Sequence, residues 1–255
     1  MKQVQKRWPL LDFLRGFALI NMLAYHGLYD YFVVYGHNSR WFYAPAINCW
    51  QELGLGLFII VSGMTYGLIH DKRRWQQVLR LQALGLIVTI ATVVFMPSEA
   101  IYYGVLTFFG SIILVTLLLE NSRYQLLSKV NPYGGLLLSL LAYCLTLPTE
   151  AGYCGIGAFK LFSWPRFLYQ DSFAILGFTG SSFTSSDYVP LLPYGFLFWA
   201  GFYLWPLLNN HCPLVLKLGP CGWLKWLGQR SLLVYVLHQP LLLLVFEAVA
   251  LLFTN

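Results

Sequence analysis

Long apolar runs separated by short polar stretches dominate the chain. A hydrocarbon core about 30 Å thick is crossed by about 20 helical residues, and seven runs suit that length. Bounded by their polar and Pro flanks, they cover about 10–35, 43–69, 78–96, 101–119, 133–147, 188–208 and 231–253. The third and fifth stop at Pro97 and Pro148, which cannot continue a helix. Ser62-Gly63, near the end of the second, predicts close approach of a neighbouring helix. Residues 149–186 break the pattern. Their mixture of Gly, Ser, Thr and aromatics predicts a long loop with short re-entrant or interfacial pieces around Ile156–Phe162 and Phe173–Phe178. Loops of that length often carry function. Asp187 is expected to cap the sixth helix, and 209–229 reads as a polar-basic loop. The predicted fold class is all-α: a polytopic transmembrane helix bundle of about seven spans, forming one integral-membrane domain over 1–255.

Composition agrees with the pattern. The 255 residues are 58% hydrophobic and only 10% charged, and soluble domains carry about 25% charged residues. The net charge of +6 does not imply a nucleic-acid partner, because the basic residues sit in short loops between apolar runs. With the N-terminus inside, the cytoplasmic segments hold Lys2, Lys6, Arg7, the Lys72-Arg73-Arg74 cluster, Arg80, Arg123, Lys129, Lys217, Lys225 and Arg230. The outer segments hold only Arg40, Lys160 and Arg166, so the positive-inside rule favours a cytoplasmic N-terminus. The basic start resembles the front of a signal peptide. The apolar segment behind it is too long, and it contains Asp12 and Arg15, so it is read as a retained span. Five scattered cysteines form no metal-type pair; Cys144 and Cys154 could bridge in an oxidising compartment, with simple packing as the plainer reading. No metal site is expected.

The first span carries the candidate chemistry. Ionisable groups inside a membrane cost about 2.5–3.5 kcal/mol each on insertion scales, so their presence points to function. Arg15 and His26 are eleven residues apart, about three helical turns, which puts them on one face roughly 16 Å apart along the axis. Asp30 follows His26 by one turn and could orient its imidazole. Arg15 suits an anionic ligand, since guanidinium recognises phosphates; paired to Asp12 it would be merely structural. His37 lies eleven residues beyond His26, at the outer surface. His238 precedes a helix-kinking proline in His238-Gln239-Pro240, where a local break would expose backbone polar groups to a cavity. Phosphate-loop, dinucleotide, zinc-hydrolase and nucleophile-elbow motifs are absent from the sequence. From the residues alone, a His/Asp-dependent transporter or proton-coupled carrier is the alternative to an enzyme.

Several blocks resemble one family in order along the chain. These are Asp12-Phe-Leu-Arg-Gly16, His26 with Tyr29-Asp30, and Phe58 through Ser62-Gly63. They continue with Ile101-Tyr-Tyr-Gly-Val-Leu-Thr-Phe-Phe-Gly110, Ser186-Asp-Tyr-Val-Pro-Leu-Leu-Pro-Tyr194 and Leu227 through His238-Gln239-Pro240. Together they resemble the heparan-α-glucosaminide N-acetyltransferase catalytic-domain family in its short bacterial form, from about residue 7 to 245. The sequence departs from that pattern at Thr107, where His is common, and at Gln229-Arg230, where Arg-His is common. Arg15 and His26 also share the first-span spacing of the wider membrane acyltransferase superfamily. The resemblance implies an acetyltransferase in a bacterial inner membrane that uses cytoplasmic acetyl-CoA. Its phosphates are expected near Arg15, Arg73 and Arg74. The base is His26 or His37, with Asp30 holding the ring and His238 donating to the developing oxyanion. Asp187, Tyr188 and Gln239 are the expected acceptor-binding residues. The expected partners are the bilayer, acetyl-CoA and a glycan or amino-sugar acceptor at the extracytoplasmic side, with a homodimer left open.

Overall fold

A computed structural model describes residues 8–37, 39–69, 71–121 and 125–253. Lys2, Lys6, Arg7 and Arg123, which enter the topology argument, lie outside the described residues. Among the described residues the regular structure is helical except for one small hairpin. Helix α1 spans Pro9–Tyr29. Pro9 opens it with a preset φ, and Asp12 in the first turn complements the positive end of the helix dipole. Beyond Tyr29 the ladder widens into a π-helical stretch over Asp30–Val34, closed by the Tyr35 N–H to the Asp30 carbonyl at 2.9 Å. Insertions of this kind often mark functional sites. Gly36, at φ 73°, supplies the left-handed turn that ends it.

The other long helices fall close to the apolar runs: α2 Pro45–Tyr66, α3 Asp71–Phe95, α4 Val105–Glu120, α5 Pro132–Thr146, α6 Leu191–His211 and α8 Ser231–Phe253. Among the described residues, five helical stretches (in α2, α3, α5, α6 and α8) are long and apolar enough to cross a membrane. Helix α1 has the length but is diluted by its charged residues, and α4 is a shorter apolar helix of 16 residues.

Five expectations need correction. Helix α3 starts at Asp71, not near 78, so Lys72, Arg73 and Arg74 form its opening turn instead of a loop. Lys and Arg are good helix formers, and a hydropathy window does not see a helix continue beyond its apolar part. Around 156–162 the chain forms a β-hairpin, β1 Tyr153–Ile156 paired antiparallel with β2 Phe159–Ser163, turning at Gly157 with φ 56°. The second expected piece is a 3₁₀ stretch, Asp171–Leu176. Asp187 does not cap α6, which opens at Leu191 with an extended Leu192 and a cis Leu192–Pro193 bond. The loop at 209–229 contains a short helix, α7 Gly222–Gly228. In addition, α8 runs through Pro240 without a break.

Contacts divide the chain into two units. The first holds residues up to Val61 and from Leu208 onward, and the second holds Ser62–Leu207, so the divisions fall inside α2 and α6. The first unit buries Leu11, Leu19, Ile59 and Leu216. In the second, α4 is the most enclosed helix, with Phe108, Ile112, Thr116 and Leu117 buried. Gly63 lies against the Phe198 backbone of α6, where any Cβ would collide with the carbonyl. Gly85 on α3 lies similarly against Thr107 on α4, and Gln82 Nε2 donates to Ser111 Oγ at 2.9 Å across the same seam. The segment before α6 pairs with the segment before α4: Val189 N–H reaches the Tyr103 carbonyl at 3.1 Å, and Tyr102 N–H reaches Ser185 Oγ at 2.9 Å. Tyr103 takes a left-handed φ of 54°, a strained conformation for an aromatic residue.

One polar knot joins three helix ends of this unit. Arg74 Nη1 meets Glu120 Oε2 at 3.0 Å, the Tyr66 hydroxyl donates to the same oxygen at 2.7 Å, and the guanidinium sits 4.1 Å over the Tyr66 ring. Both charged side chains are mostly buried. Arg74→Ala should therefore cost about 3 kcal/mol, the lower end for breaking a buried pair. Removing the charge of Arg73, which is exposed, should cost almost nothing by the standard of surface charges. Thermal melts of the two variants in detergent check the contrast.

Candidate functional site

The first unit brings the polar stripe of α1 against α7 and α8. At its near end Asp12 meets Arg15 Nη1 at 3.6 Å and accepts a 3.1 Å hydrogen bond from Gln229 Nε2, just after α7. Two glycines make this approach possible. A methyl at Gly16 would overlap the Leu224 carbonyl, and one at Gly228 would overlap the Asp12 carbonyl. Arg15, the expected phosphate ligand, is thus braced by the carboxylate one turn before it.

Three turns further along, His26 meets His238 of α8. Their ring centroids are 4.8 Å apart with planes at 60°, an edge-to-face arrangement. His238 is 8% exposed, and its Nδ1 faces the Tyr235 carbonyl. A carbonyl can only accept, so Nδ1 carries a hydrogen and the lone pair of the neutral ring lies on Nε2. Two residues on, Pro240 lacks the N–H that would reach the Val236 carbonyl; the helix nonetheless continues.

Asp30 is fully buried, and its Oδ1 accepts from Gln239 Nε2 at 2.7 Å. That bond fixes which end of the amide faces the carboxylate. Gln239 Oε1 is buried and accepts no hydrogen bond from the described residues. Beyond this pair the Tyr35 hydroxyl donates to Glu247 Oε1 at 3.0 Å. His26, Asp30, His238 and Gln239 therefore converge between two helices of one unit. All four were candidates from the sequence, but spacing placed only His26 and Asp30 together; that His238 and Gln239 meet them is shown by the fold.

The remaining candidates lie elsewhere. His37 is exposed; its ring stacks on Tyr31 at 4.3 Å and its Nδ1 faces the Tyr31 carbonyl at 3.1 Å. Arg73 and Arg74 belong to the second unit, where Arg74 is engaged with Glu120. Asp187 and Tyr188 belong there too. The Tyr188 hydroxyl donates to the Ala174 carbonyl, and burial pushes its ionisation well above the usual tyrosine range, so it stays a neutral donor. All five cysteines are free. Sequence reasoning missed Gln229 and the whole of α7, whose seven residues are too few to show a hydrophobic period.

Compared with known proteins, residues 7–240 match the family described as "Heparan-alpha-glucosaminide N-acetyltransferase, catalytic". No curated protein and no solved structure matches.

Proposed function

Because the chain belongs to the heparan-alpha-glucosaminide N-acetyltransferase catalytic family, we propose that His26 and His238 carry an acetyl transfer from acetyl-CoA to an amine or hydroxyl of a sugar-containing acceptor. The family's activity is membrane acetyl transfer; the donor, the acceptor and the sidedness extend it. The observation that supports the reading most is the pair of imidazoles 4.8 Å apart beside a fully buried carboxylate.

In this reaction the acceptor nitrogen or oxygen attacks the thioester carbonyl. A C–N or C–O bond forms, the C–S bond breaks, and the acceptor's proton must reach the departing sulfur. In its neutral form, with the hydrogen on Nδ1, His238 offers Nε2 as the base. Once protonated there, the same Nε2–H can donate to the oxyanion or the sulfur, so the donor role expected of His238 follows from its role as base. His26, whose ring lies edge-to-face against that of His238, and the buried Asp30 line the same site. Gln239 Oε1 is a ready acceptor for an N–H or O–H of a substrate.

Donor phosphates are assigned to Arg15, about 16 Å along the helix from His26, a distance that an extended pantetheine arm can span. Arg74, already paired with Glu120, is a structural residue in this reading. Tyr188 likewise holds its own segment through Ala174. The distribution of basic residues favours the N-terminus and the donor on the cytoplasmic side of a bacterial inner membrane, and the acceptor on the other side.

The test is turnover of labelled acetyl-CoA by the full-length protein in proteoliposomes, with a pool of amino-sugar and sugar acceptors. Acceptor-dependent release of free CoA thiol, with label moving to the acceptor, is expected. Folded protein that neither binds acetyl-CoA nor releases thiol would overturn the proposal.

A further inference from the structure

The hairpin between α5 and α6 exposes its apolar side chains. Strand β1 packs on the end of α5 and on the turn after it, and Cys154 is buried there. Strand β2 lies outermost, and all five of its residues are exposed. Phe159 is 68% exposed, Leu161 51% and Phe162 48%; Phe167 just beyond is exposed as well. Residues 151–170 include Lys160 and Arg166 but no Asp or Glu, and the exposed Glu150 and Asp171 flank them. The Lys160 ammonium lies 4.7 Å over the Tyr153 ring.

We propose that this hairpin is an interfacial anchor. It lies in the headgroup region of the bilayer that α5 enters, and it binds anionic headgroups through Lys160 and Arg166. The position of the hairpin supports this occupant. It begins four residues after the end of an apolar stretch, Pro132–Thr149, that is long enough to cross a membrane, and β1 holds it against that end. The chemistry sets the depth. The outer edge of β2 presents backbone groups that no other strand covers in this two-stranded sheet, so the hairpin does not enter hydrocarbon. Its exposed Phe and Leu side chains, in turn, disfavour bulk water. The headgroup zone satisfies both demands, and aromatic and basic side chains concentrate there. Lys160 can lay its methylenes along the apolar strand and carry its charge to a phosphate.

Photocrosslinking of the full-length protein tests the proposal. Phe159→benzoylphenylalanine and, separately, Phe162→benzoylphenylalanine are illuminated in nanodiscs of phosphatidylcholine with a minority of phosphatidylglycerol, and adducts are read by intact mass. Leu137→benzoylphenylalanine, at an exposed position on α5, is the lipid-facing control. Lipid adducts are expected at all three positions. At 159 and 162, phosphatidylglycerol should be over-represented relative to its share of the bilayer. That excess should vanish in the Lys160→Ala/Arg166→Ala double variant. Adducts at 137 with none at 159 or 162 would overturn the anchor. So would adducts to a second copy of the chain, or to an added sugar acceptor in place of lipid. Adducts that merely follow bilayer composition in the parent chain would overturn the role of the two cations.

Discussion

His238→Ala should lower acetyl transfer by about 100- to 10,000-fold, the usual range for losing a positioned acid–base group. The binding of acetyl-CoA should change little, because the assigned phosphate ligand, Arg15, lies three turns away. His26→Ala should lose activity on the same scale. The double variant should be scarcely worse than either single one, since residues that act as a unit are strongly non-additive. His37→Ala should keep nearly full activity, because its exposed ring is stacked on Tyr31. Rates measured at saturating acetyl-CoA, with donor affinity measured separately, decide between these outcomes. A His37 variant that fails while His26 and His238 variants turn over normally would move the base to the loop. A profile of rate against pH adds a further check: losing one ring of the pair should alter the limb that reports the base.

The second large effect concerns the packing of α1 on α7. Gly16→Ala and Gly228→Ala each place a methyl against a main-chain carbonyl, at Leu224 and Asp12 respectively. A crowded side chain can rotate away, but here the obstacle is backbone, so the helices themselves must separate. Overpacking typically costs about 1–3 kcal/mol, and these two sites should reach or exceed the upper end. Gly134 offers the contrast. It lies in α5 with open space where a methyl would go, so Gly134→Ala should be neutral or stabilising by up to about 1 kcal/mol through helix propensity. Thermal melts in one detergent compare all three. If Gly16→Ala melts like Gly134→Ala, the close approach is not what holds α1 to α7.

The helices were legible because apolar runs of bilayer length leave few alternatives, and prolines at 97 and 148 mark two of their ends. The stripe on α1 was legible for the same reason: charged residues stand out in an apolar run, and their spacing fixes their face. What the stripe meets was not legible. Gln239 and Gln229 are ordinary polar residues in sequence, and only the fold shows that they reach Asp30 and Asp12. Arg74 misled in the opposite way. A run of three basic residues suggests a phosphate site, but Glu120, which withdraws one of them, lies 46 residues away. The hairpin escaped because Gly and aromatic residues in a membrane protein suit an interfacial helix or a strand equally well. Helix α7 escaped because it is too short to repeat. Family membership came through a different channel, the ordered blocks between residues 7 and 240.

The contacts of α1 also bear on how the protein is made. Among the described helices α1 leaves the ribosome before the others, and it carries Asp12, Arg15 and His26, ionisable groups poorly suited to lipid. The bonds that it and the residues after it form with α8 and the residue two before it span very long stretches: 209 residues from Asp30 to Gln239, 212 from Tyr35 to Glu247 and 217 from Asp12 to Gln229. At translation rates of about 5–20 residues per second, roughly 10–40 s pass between the emergence of Asp30 and that of Gln239. Throughout that interval α1 must be sheltered by the insertion machinery or wait at the membrane surface. A ribosome stalled before α8 should therefore display α1 in a state still open to water-soluble reagents, and emergence of α8 should close it.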